Sequence, residues 1–120
     1  MSIRTELKEK LHKVTNKQAE EERRLELEAI KMIKEFVIPK FREIADVQPT
    51  SSILRIDFHS NIGCWNYTSN INNWDKRKNS PYDYSVVSKA VKIAFKFDIE
   101  GKITDDGSGG ATLSFILDLR

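Results

Sequence analysis

The sequence predicts an α+β fold in which a long N-terminal helix, preceded by a short one, packs on a four-stranded antiparallel sheet. Three observations lead there. Residues 1–48 hold 11 Lys/Arg and 10 Asp/Glu, no glycine and one proline, around an apolar stripe of helical period. Residues 49–120 hold all five glycines, and their apolar residues alternate along the chain. The full length of 120 residues suits one domain, large enough to bury a core without disulfides or metal. Residues 1–48 and 49–120 are therefore the helical and sheet parts of a single domain.

Ile3, Leu7, Leu11 and Val14 recur at spacings of four, four and three, which defines one face of a helix. Thr15-Asn16-Lys17-Gln18 has the form of a capping box, so a break is expected near Thr15. A second helix then runs from about Asn16 to Ala45 on Leu25, Ala29, Met32, Ile33, Phe36, Val37, Phe41 and Ile44. Pro39 should kink or end it, because proline lacks the backbone donor and clashes with the preceding turn. Such a helix is roughly 45 Å long, far more than four strands span across a sheet. Its N-terminal part should overhang, and self-association would cover the stripe.

Leu54, Ile56 and Phe58 alternate with Arg55, Asp57 and His59, the signature of a half-buried strand. A turn at Asn61-Ile62-Gly63 leads into a return strand over Cys64–Thr68. Ser80-Pro81-Tyr82-Asp83 resembles a helix start, giving either a short helix over 81–88 or an early strand. The odd positions from Val91 to Ile103 are apolar apart from Gly101, which predicts a long strand. Asp105–Gly110 suits a hairpin loop, and Leu113, Phe115, Leu117 and Leu119 line one face of the last strand.

Net charge is only +2, which argues against an acidic nucleic-acid mimic and against a strongly basic coat protein. Cys64 is the single cysteine, so no internal disulfide can form, as suits a reducing compartment. The charged N-terminus does not resemble a signal peptide, and no apolar run is long enough to cross a bilayer. A cytoplasmic location and no membrane partner are expected.

Residues 61–84 gather both tryptophans, all three tyrosines and six of the seven asparagines, together with Lys76-Arg77-Lys78. Trp65, Tyr67 and Trp74 offer faces on which a base can stack. Tyr82 and Tyr84 belong to the same aromatic segment, and Lys76 and Arg77 can meet phosphate. Trp65 and Tyr67 share one side of a short strand, so a core role competes with the ligand role. Arg55, His59, Asn66 and Lys92, with Asp57, Lys96, Thr112 and Ser114, are expected on the sheet face away from the helix. Arg23 and Arg24 on the long helix can add an anion site if copies assemble.

His59 and Cys64 could face each other across the hairpin as a nucleophilic pair, but no family signature accompanies them. Three candidate ligands are too few for a structural zinc site, and DDGSGG lacks the spacing of a calcium loop. No cofactor motif is present, so neither metal nor cofactor is expected. These features favour a non-enzymatic binding protein, oligomeric through its N-terminal helices. It would sequester a phosphate-bearing ligand such as a nucleotide, a nucleotide signal or a short nucleic acid. The alternative is a phage or mobile-element inhibitor or adaptor that blocks a host protein through residues 70–84.

Overall fold

The computed structural model describes residues 3–61, 64–72, 74–105 and 110–120, without the side chains of Arg4, residues 6–18, Asn61 and Trp74. The chain is α+β, with a long N-terminal helix and an antiparallel sheet of five strands. The order is α1 (Ile3–Met32), a π-helical turn (Ile33–Val37), α2 (Ile38–Val47), β1 (Ile53–Asn61), β2 (Cys64–Ser69) and β3 (Lys78–Asn79). Then come α3 (Tyr84–Ile93), β4 (Glu100–Asp105) and β5 (Ala111–Asp118). Across the sheet the strands lie β3-β2-β1-β5-β4, so β1 is central.

The helical path departs from the expected one at Thr15, and of the two outcomes expected at Pro39, a kink or an end, the end does not occur. No break occurs at Thr15: α1 is continuous for thirty residues. The surrounding Lys, Glu, Gln and Ala are strong helix formers, and a capping box stops a helix only where the cap residue turns extended. Pro39 does not end the helix either. Just before it, the amide of Ile38 donates to the carbonyl of Ile33, five residues back, in the π-helical turn. That one-residue widening takes up the crowding that proline imposes on the preceding turn, and α2 continues to Val47. Helix, π turn and helix together extend about 67 Å at 1.5 Å per residue, which matches the 69 Å longest dimension of the chain.

Ala29, Met32, Ile33, Val37, Phe41 and Ile44 form the buried side of this rod. They pack with Val86, Val87, Ala90 and Val91 of α3 over the inner sheet face. Leu54, Ile56 and Phe58 of β1, Tyr67 of β2, and Leu113 and Phe115 of β5 supply that face. Ahead of Leu25 the rod leaves the body: Ile3 is 74% exposed, and Ala19 through Arg24 are exposed. The overhang expected from helix length is present.

The sheet differs from the four-stranded prediction in two ways. The extra strand is β3, two residues long, pairing Asn79 with Asn66 and Lys78 with Tyr67. The long strand expected over 91–103 is mostly not a strand. Val91 and Ile93 end α3, Ala94–Phe97 form a 3-10 turn, and Asp98 closes it in the left-handed region at φ 58°. Only Glu100–Asp105 is extended. Ser80 does not cap α3 either; Asp83 holds the extended cap position, and the Ser80 hydroxyl donates to the Tyr82 carbonyl at 2.8 Å. The β4–β5 hairpin forms as expected, with the tip at 106–109 outside the described residues.

Candidate functional site

The alternation in β1 sends Leu54, Ile56 and Phe58 inward and leaves Arg55, Asp57 and His59 on the opposite face, which no helix covers among the described residues. Register then assembles a polar patch. Asp57 lies opposite Thr68 on β2 and Ser114 on β5, and His59 lies opposite Asn66 and Thr112. The guanidinium Nε of Arg55 donates to both carboxylate oxygens of Asp57, at 2.8 and 2.9 Å. Ser114 donates its hydroxyl to the same carboxylate and sits within 3.4 Å of an Arg55 Nη. This network fixes an arginine at the centre of the open sheet face, with the side chain still half in solvent.

His59 places Nε2 2.9 Å from the Thr68 hydroxyl. Burial pulls its pKa below the ordinary 6.5; the Asp57 carboxylate opposes that shift, and the Arg55 guanidinium adds to it. The imidazole is thus mainly neutral at pH 7.

Three of the predicted ligand residues, Arg55, His59 and Asn66, come together here. The others do not. Lys92 was expected on this face and stands instead on the exposed side of α3. Lys96 sits on the following 3-10 turn and pairs with Glu26 of α1 at 3.2 Å. Both departures follow from the helix that replaces the predicted strand.

Trp65 and Tyr67 point to the helix side of the sheet. Tyr67 is 6% exposed, within an aromatic cluster in which Phe36 meets Tyr67 at 5.2 Å and Tyr82 at 5.5 Å between ring centroids. Trp65 is half-buried, and its indole N–H donates to the Tyr82 carbonyl at 2.7 Å, tying residues 80–84 to the sheet. Burial, with help from the Glu35 carboxylate, raises the Tyr82 pKa above 10.0. Tyr84, 46% exposed and 5.4 Å from the Trp65 ring, keeps an open face at the edge of this cluster. Lys76 and Arg77 are exposed beside β3, and the Trp74 side chain lies outside the described residues.

Cys64 does not lie opposite His59. The hairpin pairs Asn61 with Cys64, two positions beyond the His59–Asn66 pair, and Cys64 is exposed. The directly opposite placement that the sequence allowed is therefore not formed.

Arg23 and Arg24 are exposed on α1. Arg24 lines a hollow of about 410 Å³ between α1 and the start of α3, with Leu25 and Val86 as its apolar wall and Glu21, Glu28 and Asp83 around it. A second hollow of about 330 Å³ adjoins it through Glu28, Asp83 and Val86, and adds Glu35 and Lys31. This trough has four carboxylates and two cations. The signal for it in the sequence is the seven-residue spacing of Glu21, Glu28 and Glu35. Thr68, the partner of His59, carried no such signal. Among the described residues no cluster of potential metal ligands occurs, and no helix is long and apolar enough to cross a membrane. Comparison with protein families, with curated proteins and with solved structures finds no match to this chain.

Proposed function

We propose that this protein is a non-enzymatic binding module that self-associates through its N-terminal helix and holds a phosphate-bearing ligand, a nucleotide or nucleotide signal, on the open sheet face. One observation carries the reading: Arg55, held by Asp57 and Ser114, shares that uncovered face with His59 and Asn66. A guanidinium fixed in advance loses little freedom on meeting an anion. Neutral His59 and Asn66 supply hydrogen bonds to base or sugar edges. Lys76 and Arg77 widen the basic border. The aromatic side chains do not extend this face: Tyr67 belongs to the core, Trp65 is partly enclosed on the helix side, and Tyr84 packs on Trp65 there, so the reading rests on the polar contacts.

Thermal unfolding across a panel of mono-, di- and cyclic nucleotides tests this. A true ligand raises the midpoint with concentration, as mass action requires. Arg55→Lys keeps the charge but loses the fork geometry, and is expected to weaken the shift by about tenfold in apparent Kd. A panel that leaves the midpoint unmoved at millimolar ligand rejects the nucleotide reading.

A second reading, an inhibitor or adaptor that engages a protein through residues 70–84, is favoured by the exposure of Lys76, Arg77, Lys78 and Tyr84 along one border of the sheet. Recovery of one stoichiometric protein partner, lost on Tyr84→Ala with Arg77→Glu, would select it over the first.

A further inference from the structure

We infer that the N-terminal arm of α1 docks, antiparallel, into the trough between α1 and α3 of a second copy of this chain. The inference deepens the proposed self-association by naming its orientation and its seat.

The arm's apolar stripe is a continuation of the core stripe. Leu7, Leu11 and Val14 precede Leu25, Ala29 and Met32 by the same interval, about five whole turns at 3.6 residues per turn. Ala29 and Met32 are buried against the body, and the continuous helix carries positions 7, 11 and 14 on that same side, toward an end at which Ile3 and Thr5 are exposed. A partner must therefore present an apolar surface to that side.

Charge selects the partner and its direction. Residues 3–17 carry five Lys/Arg against two Glu; residues 18–28 carry five Glu against two Arg. Parallel pairing of two arms sets like against like. Antiparallel pairing sets the basic half of each against the acidic half of the other, and one two-fold axis satisfies both contacts. Centring the pair near Asn16 puts Leu7 across from Leu25 and Arg4 across from Glu28. In that register the basic tip arrives at the trough of the second copy. Leu25 and Val86 form its apolar wall there, and Glu21, Glu28 and Asp83 provide its acidic border. Ile3, 74% exposed in the single chain, enters the same contact.

The test uses the full chain in a Cys64→Ser background. Sedimentation is expected to give a dimer, and Leu7→Glu with Leu11→Glu a monomer with unchanged circular dichroism, since the described core runs from Ala29 to Phe115. Mixing Arg4→Cys chains with Glu28→Cys chains under oxidation is expected to yield the mixed disulfide. Glu21→Lys with Glu28→Lys should weaken dimerisation by about tenfold or more, and Arg4→Glu with Lys10→Glu added on the same chain should restore it. Disulfides that form only between like positions overturn the antiparallel seat while leaving self-association through the helix intact. A monomer at all concentrations, or an oligomer indifferent to the Leu7 and Leu11 changes, overturns both.

Discussion

At the scale of the residue, the polar sheet face shows how register turns scattered side chains into a network. Asp57 is neutralised by Arg55 and bonded by Ser114, which is 1% exposed, so a buried hydroxyl and a half-buried carboxylate satisfy each other. His59 is the titrating member. Its folded pKa lies below the unfolded 6.5, because burial disfavours the charged ring. Between those two values the unfolded chain binds more protons than the folded one, so stability rises with pH. The His59 contribution is complete above 6.5 and is lost as pH falls from there through the folded value. His59→Gln removes this slope. The expected outcome is that urea midpoints of the native chain fall more steeply than those of His59→Gln between about pH 7 and pH 5. Parallel curves for the two proteins would show that His59 is not the sensor.

At the scale of the element, helix α3 and strand β4 are joined by one glycine. A Cβ on Gly101 would lie 1.9 Å from the carbonyl oxygen of Val91, so α3 rests its backbone directly on β4. Backbone cannot move aside as a flexible side chain can. Gly101→Ala is therefore expected to cost about 3 kcal/mol, the upper end of ordinary overpacking. An unchanged urea slope with a lowered midpoint would mark a loss of packing, and a midpoint equal to the native one would refute the contact. The same junction explains what the sequence concealed. Leu54, Ile56 and Phe58 were legible because a strand with one wet face alternates cleanly. Val91, Ile93, Phe95, Phe97 and Ile99 also alternate, yet they pass through a helix end, a 3-10 turn and a left-handed Asp98. Period two arises there by superposition of other periods. The helical signal lay upstream, in Val86, Val87, Ala90, Val91 and Ala94, all buried on one side. The candidate site was legible to the same extent as its strands: Arg55, His59 and Asn66 followed from β1 and β2, whereas Lys92 was misplaced with the false strand. The π turn before Pro39 was signalled only by the proline itself, which marks a distortion of the helix without fixing its form.

At the scale of the whole molecule, the body and the arm are separable in energy. Among the described residues, the first buried position in the rod is Ala29, and Leu25 is the first to pack against the core. Before Ala19, the two residues whose side chains are described, Ile3 and Thr5, are exposed, and the residues ahead of Ala19 form more than half of α1. An isolated helical arm of that length is marginal in water, because nucleation is costly and only packing repays it. In a self-associating chain the arm gains its packing from another copy, and the stability of the whole then depends on protein concentration. Removing residues 1–18 separates the two contributions. The truncated chain is expected to unfold cooperatively, within about 4 °C of the full chain at low concentration. Its midpoint should not change with concentration, whereas that of the full chain should rise. A truncated chain that does not fold would place the arm inside the core of its own copy, folded back on the body. Equal concentration dependence in both chains would move the association surface off α1, leaving the sheet face and the border around Tyr84 as the places to look for it.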